Sequence, residues 1–109
     1  MAPGDVAIVA FRGAVAAKAR PAVVVSSALY HQVRPDCVVG ILTSNLGAAA
    51  SPTDYVLQDW AAAGLHQPSA YRSYFNMVES SGLLIIGRLT ERDWQAVRER
   101  IALTFGLAT

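Results

Sequence analysis

The sequence has a single cysteine, Cys37, which excludes an internal disulfide and a zinc site built from cysteines. Charged residues are scarce as well, at 16% of 109 residues, and the net charge is only +1. The chain therefore carries no overall field that would hold nucleic acid. No apolar run is long enough to span a bilayer, and residues 1–5 lack the features of a signal peptide. We expect a cytoplasmic protein that does not bind membranes.

A chain of this length predicts one domain over residues 1–109, with a modest core. Its composition is 53% hydrophobic, much of it alanine, which is apolar-rich for a monomer with so few charges. This balance favours a homodimer that covers part of the apolar surface. Cys37 begins an apolar run, so we expect it to be buried by packing rather than to serve as a reactive thiol.

The first half of the chain has mostly strand-like patterns. Short apolar segments predict strands over residues 6–11, 21–25, 37–42 and 54–57. The small residues 14–19 are predicted to form a loop, and Pro21 to open the second strand at an edge. Ser26 and Ser27 are suited to cap a short helix over residues 30–33, which the sequence at 34–36 then ends.

In the second half, Pro68 and Ser69 predict a turn into a strand that contains Tyr71. Further short strands are expected at residues 76–78 and 83–86. Thr90 is a good N-cap for the clearest helix, and Gly106 is placed to end it. The core face of this helix is predicted to hold Trp94, Val97, Ile101 and Phe105. Together these elements predict a mostly β protein, a small antiparallel barrel with a C-terminal α-helix, with an open α+β sandwich as the alternative.

Polar groups at two predicted strand ends form a candidate anion site. Arg20 precedes one valine-rich run, and Thr43 and Ser44 follow another. A guanidinium binds two phosphate oxygens at once, and hydroxyls donate to a third. The alternatives are that Arg20 pairs with Asp36 or is simply solvated, and that the hydroxyls bond the local backbone.

These segments resemble the MazF/PemK-type toxins of bacterial toxin–antitoxin modules, and the matches run in the same order along nearly the whole chain. The resemblance is carried by Gly4-Asp5-Val6, by Arg20-Pro21 with the following valines and Ser26-Ser27, by Ile41-Leu42-Thr43-Ser44-Asn45, by Gly64-Leu65, Pro68-Ser69 and Arg72, and by Ile86-Gly87-Arg88-Leu89-Thr90. Two segments depart from the family pattern: the alanine-rich stretch after the first strand, and residues 73–81 after Arg72.

The resemblance implies an SH3-like β-barrel that forms a homodimer and acts as a metal-independent endoribonuclease without a cofactor. Single-stranded RNA would be cleaved by attack of a 2′-hydroxyl on the adjacent phosphate, leaving a 2′,3′-cyclic phosphate and a 5′-hydroxyl. Arg20 and Thr43 would be catalytic, with Ser44 as a helper, and Arg72 would contact RNA phosphate. Apart from the resemblance, the positive charges of Arg12 and Lys18, in the predicted loop, are suited to steer RNA to the site. A cognate antitoxin would cover the same groove with an extended, acidic C-terminal segment.

The sequence leaves the group that removes the 2′ proton unidentified. His31 and His66 both lie in predicted turns, where we expect surface histidines without a catalytic role, and their spacing gives no metal-ligand pattern. The competing interpretation of the whole chain is a binding module without catalysis, or a gyrase-targeting toxin, on the same barrel. The RNA sequence preference and the antitoxin's identity stay open.

Overall fold

The computed structural model describes the backbone of residues 1–12 and 17–107 and the side chains of residues 1–10 and 18–107. In this part of the chain, six antiparallel strands form one curled half-barrel sheet in the order β4-β5-β3-β2-β1-β6. The strands are β1 (Asp5–Arg12), β2 (Ala17–Val24), β3 (Asp36–Thr43), β4 (Tyr55–Val56), β5 (Ala70–Glu79) and β6 (Leu84–Arg88), and the helices are α1 (Ala28–Val33) and α2 (Glu91–Phe105). The predicted mostly β fold with a C-terminal helix is confirmed.

Two strand predictions were wrong in their bounds. Residues 17–19 belong to β2 rather than to a loop, so Pro21 lies inside the strand; residues 14–16 of the predicted loop fall outside the described residues. Residues 76–78 are not a separate strand but the end of β5. Between Gly40 and Ile41 the register with β5 shifts, since Gly40 pairs with Phe75 and Ile41 with Arg72. This irregularity interrupts the alternation of side chains between the two faces of β5. The sequence therefore suggested two short strands where the structure has one.

Both faces of the sheet are buried, because the sheet curls and α2 packs against one side. One core cluster includes Val6, Val23, Leu42, Tyr71 and Val97, and Trp94 and Ile101 of α2 pack against it. The other cluster lies on the opposite face and is made of Ala7, Val9, Ala22, Val24, Cys37 and Val39. The burial of Cys37 is therefore confirmed, and desolvation raises the pKa of its thiol.

Helix α2 starts and ends where the sequence predicts, but two of its details differ. Thr90 makes no capping bond; its hydroxyl instead donates to Asp59 Oδ2 at 2.6 Å. Phe105 is 60% exposed and contacts the ring of Phe75 at the helix end rather than the core. The helix stops at Gly106, whose φ of 65° lies in the left-handed region.

The segment between β4 and β5 is fixed to α2 by the fully buried Asp93. Its carboxylate accepts hydrogen bonds from the Tyr55 hydroxyl at 2.7 Å and from the backbone N–H groups of Gln58 and Asp59 at 3.0 and 2.8 Å. Asp59 in turn pairs with Arg92, and this guanidinium lowers the pKa of Asp59 to about 2. The segment that follows forms one wall of the cleft described below, so its position depends on α2.

We expect Asp93→Asn to lower the free energy of unfolding by about 2 kcal/mol, because an amide nitrogen would face donors that the carboxylate now satisfies. Urea denaturation followed by circular dichroism measures the change. Glu91→Gln is the matched control, since Glu91 also lies in the first turn of α2 but is exposed. Equal stability of the two variants would show that the buried carboxylate does not hold the segment.

Candidate functional site

The pairing of β2 with β3 brings the two predicted strand ends together. The last paired residues are Ala22 and Ile41. Continuing the same antiparallel register by two residues sets Arg20 across from Thr43. Because side chains alternate between faces, both residues share the face of the sheet that holds Ala22 and Ile41. The two polar strand ends are thus neighbours, although they are more than twenty residues apart in the sequence.

Pro21 explains why the ladder stops there. Gly4 N donates to Val24 O at 2.8 Å on the β1 side, and Val25 N donates to Val38 O at 3.0 Å on the β3 side. Since backbone groups alternate along a strand, the nitrogen of Pro21 faces β3 and has no hydrogen to donate. The prediction that Pro21 opens a strand at an edge was wrong, because β2 lies between β3 and β1, although pairing with β3 begins only after Pro21.

A cleft of about 680 Å³ opens where the two strands part. Its polar lining comes from three parts of the chain, and its apolar lining includes Ile8, Leu42 and Ile86 of three different strands. The volume is in the range typical of small-molecule sites, which combine an apolar wall with a few convergent polar groups. The polar lining residues are Arg20, Thr43, Ser44, His66, Gln67 and Ser69.

Arg20 is exposed and, within the described part of the chain, has no ion-pair partner. The alternative that it pairs with Asp36 is wrong, because Asp36 binds the Arg34 guanidinium at 2.8 Å. That contact lowers the pKa of Asp36 and raises the pKa of Arg34. The charge of Arg20 is therefore free to interact with an anion in the cleft.

Thr43 and Ser44 supply hydroxyls at the end of β3. Thr43 Oγ1 accepts the backbone N–H of Asn45 at 3.1 Å, which is the local bond that the sequence alternative anticipated. This bond occupies an acceptor site and leaves the hydroxyl hydrogen available for donation. Ser44 is exposed at the same end. Both hydroxyls can thus donate into the cleft beside Arg20.

The facing wall is the segment between β4 and β5. Leu65 is buried at 8% exposure, and its N–H donates to Trp60 O at 3.2 Å. On the other side of His66, the Ser69 hydroxyl donates to the carbonyl of Gln67 at 2.9 Å. His66 and Gln67 are exposed between these two anchors. The cleft therefore faces a wall that is held at both ends.

Of the predicted RNA-binding residues, Arg72 is the best placed. Ala7, Ala22, Ile41 and Arg72 are successive partners across four strands, so Arg72 shares the face of Arg20 and Thr43 without lining the cleft. Among the described residues, its buried Nε has no hydrogen-bond partner.

The other two predicted RNA-binding residues are less informative. Lys18 is exposed on β2, two residues before Arg20, and so belongs to the same face, outside the cleft. Arg12 ends β1 and pairs with Ala17, but its side chain lies outside the described residues. Lys18 is thus a further cation on the face that holds Arg72. The contribution of the Arg12 side chain stays a prediction.

His66 lines the cleft, a position that the sequence reasoning did not predict. The sequence predicted a turn here and placed His66 inside a family-like segment, between Leu65 and Pro68. The missing information was that this turn faces the ends of β2 and β3, which depends on the long-range contacts of Asp93. His31, by contrast, lies in α1 outside the cleft, where its Nε2 and the Ser26 hydroxyl are 2.6 Å apart. Burial lowers the pKa of His31.

Two further searches cover the part of the chain that the structure describes. No group of three or more histidine, cysteine, aspartate or glutamate side chains is arranged to hold a metal ion there. The helices in residues 1–12 and 17–107 are also too short or too polar to cross a membrane.

Comparison with known proteins gives a consistent picture. The family model described as PemK-like, MazF-like toxin of type II toxin–antitoxin systems matches residues 2–105. A mycobacterial endoribonuclease solved in complex with its cognate antitoxin superposes with a TM-score of 0.80 at 17% identity, covering 100% of this chain and 98% of that chain. The Mycobacterium tuberculosis toxin MazF-mt6 gives 0.78 at 21% identity, with 96% and 99% coverage.

The MazF subunit of a MazE–MazF structure from Deinococcus radiodurans gives a TM-score of 0.75 at 17% identity, with 99% and 97% coverage. A search of curated protein sequences found no match to the chain. At these sequence identities the solved structures establish only the fold. Membership of the toxin family is established by the family model, which matches residues 2–105.

Proposed function

Because the chain belongs to the PemK-like, MazF-like toxin family of type II toxin–antitoxin systems, we propose that it is an endoribonuclease that cleaves single-stranded RNA and so inhibits translation. The reaction is attack of a 2′-hydroxyl on the adjacent phosphate, without a metal ion or a cofactor. The products are a 2′,3′-cyclic phosphate and a 5′-hydroxyl. The observation that carries the proposal is the position of Arg20 and Thr43 in one cleft.

Arg20 is suited to stabilise the charge that develops on phosphorus. The reaction passes through a phosphorane with additional negative charge on its non-bridging oxygens. A guanidinium keeps its charge at all working pH values and can bind two of these oxygens at once. Arg20 lines the cleft and forms no ion pair with any side chain that the structure describes, so no described carboxylate reduces its interaction with the transition state.

Thr43 and Ser44 are suited to hold the phosphate in position. Each hydroxyl can donate its hydrogen to the phosphate. The backbone N–H of Asn45 donates to Thr43 Oγ1 and so orients the Thr43 hydroxyl before substrate binds. Such an arrangement costs little reorganisation during the reaction. We assign Thr43 to the reacting phosphate and Ser44 to a neighbouring oxygen.

Beyond the cleft, we assign Lys18, Arg72 and Arg12 to contacts with the RNA backbone; Lys18 is exposed two residues before Arg20, and Arg12 ends β1. With a net charge of +1, the chain depends on this local set rather than on an overall field.

The proposed partners are a cognate antitoxin and a second copy of the chain. The mycobacterial and Deinococcus relatives were solved with their antitoxins, which supports an antitoxin for this chain. An extended acidic segment of it would neutralise Arg20 and compete with RNA. Exposed apolar side chains support a homodimer; Leu29 and Val33 of α1 are 68% and 72% exposed, and Met77 of β5 is 58% exposed. We place the protein in the cytoplasm, with its RNA substrate.

The test is cleavage of a long single-stranded transcript by the purified chain in EDTA. We expect fragments whose 5′ ends accept a labelled phosphate from polynucleotide kinase directly and whose 3′ ends require removal of a cyclic phosphate before ligation. Absence of cleavage in any buffer would favour a binding module, and 5′-phosphate ends would indicate a different, hydrolytic reaction. Mapping the cut sites then supplies a short oligonucleotide for kinetics.

A further inference from the structure

We infer that His66 is the proton acceptor for the 2′-hydroxyl in this cleft, an inference that rests on the proposed ribonuclease function. The reaction needs a base within reach of the 2′-oxygen. His66 lies in the wall that faces Arg20 and Thr43 across the same cleft. The site therefore contains a charge-stabilising group, a hydroxyl donor and an imidazole.

The described lining of the cleft holds no carboxylate and no imidazole other than that of His66. None of the eight carboxylates of the chain lines it. Strands β1 and β6 line the cleft with Ile8 and Ile86, which are apolar. Strand β3 lines it with Leu42 and with the hydroxyl-bearing Thr43. Arg20 of β2 is the other charged group, and arginine stays protonated at neutral pH. Histidine ordinarily changes charge between about pH 5 and pH 8, where a biological base operates.

The five aspartates bind other groups elsewhere in the fold, and the three glutamates lie outside the cleft lining. Asp5 pairs with Arg88, and Asp54 accepts the backbone N–H of Ser73 at 3.1 Å. Asp36 pairs with Arg34, and Asp59 pairs with Arg92. Asp93 is fully buried. Glu79 ends β5, and Glu91 and Glu99 are exposed on α2. A carboxylate base would require a rearrangement of these contacts.

His66 is held where a base is needed. Burial of Leu65 and the hydrogen bond from Ser69 to the carbonyl of Gln67 fix the backbone on both sides of it. His66 is exposed and belongs to the lining of the cleft. A general base requires a fixed position together with access to substrate.

The proton transfers balance with His66 in this role. Neutral His66 takes the proton of the 2′-hydroxyl while the 2′-oxygen forms its bond to phosphorus. The bond from phosphorus to the 5′-oxygen breaks, and the 5′-oxygen keeps the electron pair and takes a proton from solvent. The imidazolium then releases its proton to solvent, which restores the neutral base for the next turnover.

The test measures kcat/KM against pH for the wild type and for His66→Gln with the mapped oligonucleotide. The wild-type rate should rise with pH and then level off, because only an unprotonated base accepts the proton. His66→Gln should lower kcat about 10²-fold and remove this dependence, while binding of the same oligonucleotide with 2′-O-methyl groups changes less than about threefold. Added imidazole should restore part of the activity of His66→Ala.

His31→Gln is the matched control, because it removes the other histidine of the chain outside the cleft. It should keep the wild-type pH dependence. If the wild type cleaves RNA and His66→Gln retains its rate or its pH dependence, the role of His66 is wrong and the ribonuclease assignment stands. If the wild type leaves all RNA intact, the proposed function itself is wrong, and this inference with it.

Discussion

Replacing Arg20 with alanine should reduce RNA cleavage about 10³-fold and leave the fold intact. Loss of a single preorganised donor to a developing oxyanion typically costs about 10²–10³-fold, and a charged donor lies at the upper end. Arg20 is exposed and makes no ion pair in the described structure, so its removal leaves no buried group without a partner. The measurement is kcat with the mapped oligonucleotide under saturating conditions, with the circular dichroism spectrum as the check on folding.

Two companion variants distinguish the chemistry from a general loss of positive charge. Arg20→Lys keeps the charge but loses the planar pair of donors, so it should recover only part of the rate. Arg34→Ala removes an arginine that is paired with Asp36 outside the cleft, and it should cleave at nearly the wild-type rate. If Arg20→Ala and Arg34→Ala were equally active, Arg20 would have no role in the reaction.

Arg20, Thr43 and Ser44 could be singled out from the sequence because each lies where a recognisable local pattern ends. Valine-rich runs define strands, and polar residues at their ends are visible without any knowledge of the pairing. The same local logic predicted the short helix capped by Ser27 and the stop at Gly106. Each of these features depends on residues that are close in sequence.

What the sequence did not predict depends on long-range register. Pro21 was expected to open its strand, yet β2 continues before it because β1 pairs with residues 17–23. His66 was predicted to be a surface histidine, and it is exposed, but nothing near it in the sequence shows that Asp93, almost thirty residues later, holds the start of its segment beside the cleft. Local pattern therefore identified the strand ends, and the tertiary contacts determined which turn faces them.

The wall of the cleft has a second anchor, and its disruption should be the most damaging change to stability. Gly64 and Gly87 bring two backbones into direct contact, one from the wall segment and one from β6. A Cβ at Gly87 would overlap the carbonyl oxygen of Ala63 and lie 2.7 Å from its carbonyl carbon. Gly64 has a φ of +89°, and a Cβ there would lie 2.5 Å from Ile86 O. Neither position has room for a side chain.

Gly87→Ala should therefore lower the free energy of unfolding by about 3 kcal/mol, the upper range for overpacking. Neither backbone can move freely: β6 pairs with β1 through Gly87 and Val6, and Ala63 N bonds Asp59 O and Trp60 O, both at 3.2 Å. Urea denaturation measures the loss. Gly82→Ala is the control, because no atom lies within 4 Å of its Cβ position, and it should change stability by less than about 0.5 kcal/mol.

The folded fraction of Gly87→Ala links this contact to function. Any relief of the clash must push the wall segment away from β6, and that segment carries His66 and Gln67. The folded variant should therefore cleave RNA more slowly than the wild type at a temperature where both are fully folded. A variant that loses stability but keeps the full rate per folded molecule would show that the cleft tolerates movement of this wall. In that case His66 would have to reach the substrate from more than one position, which is inconsistent with a base held by its backbone anchors.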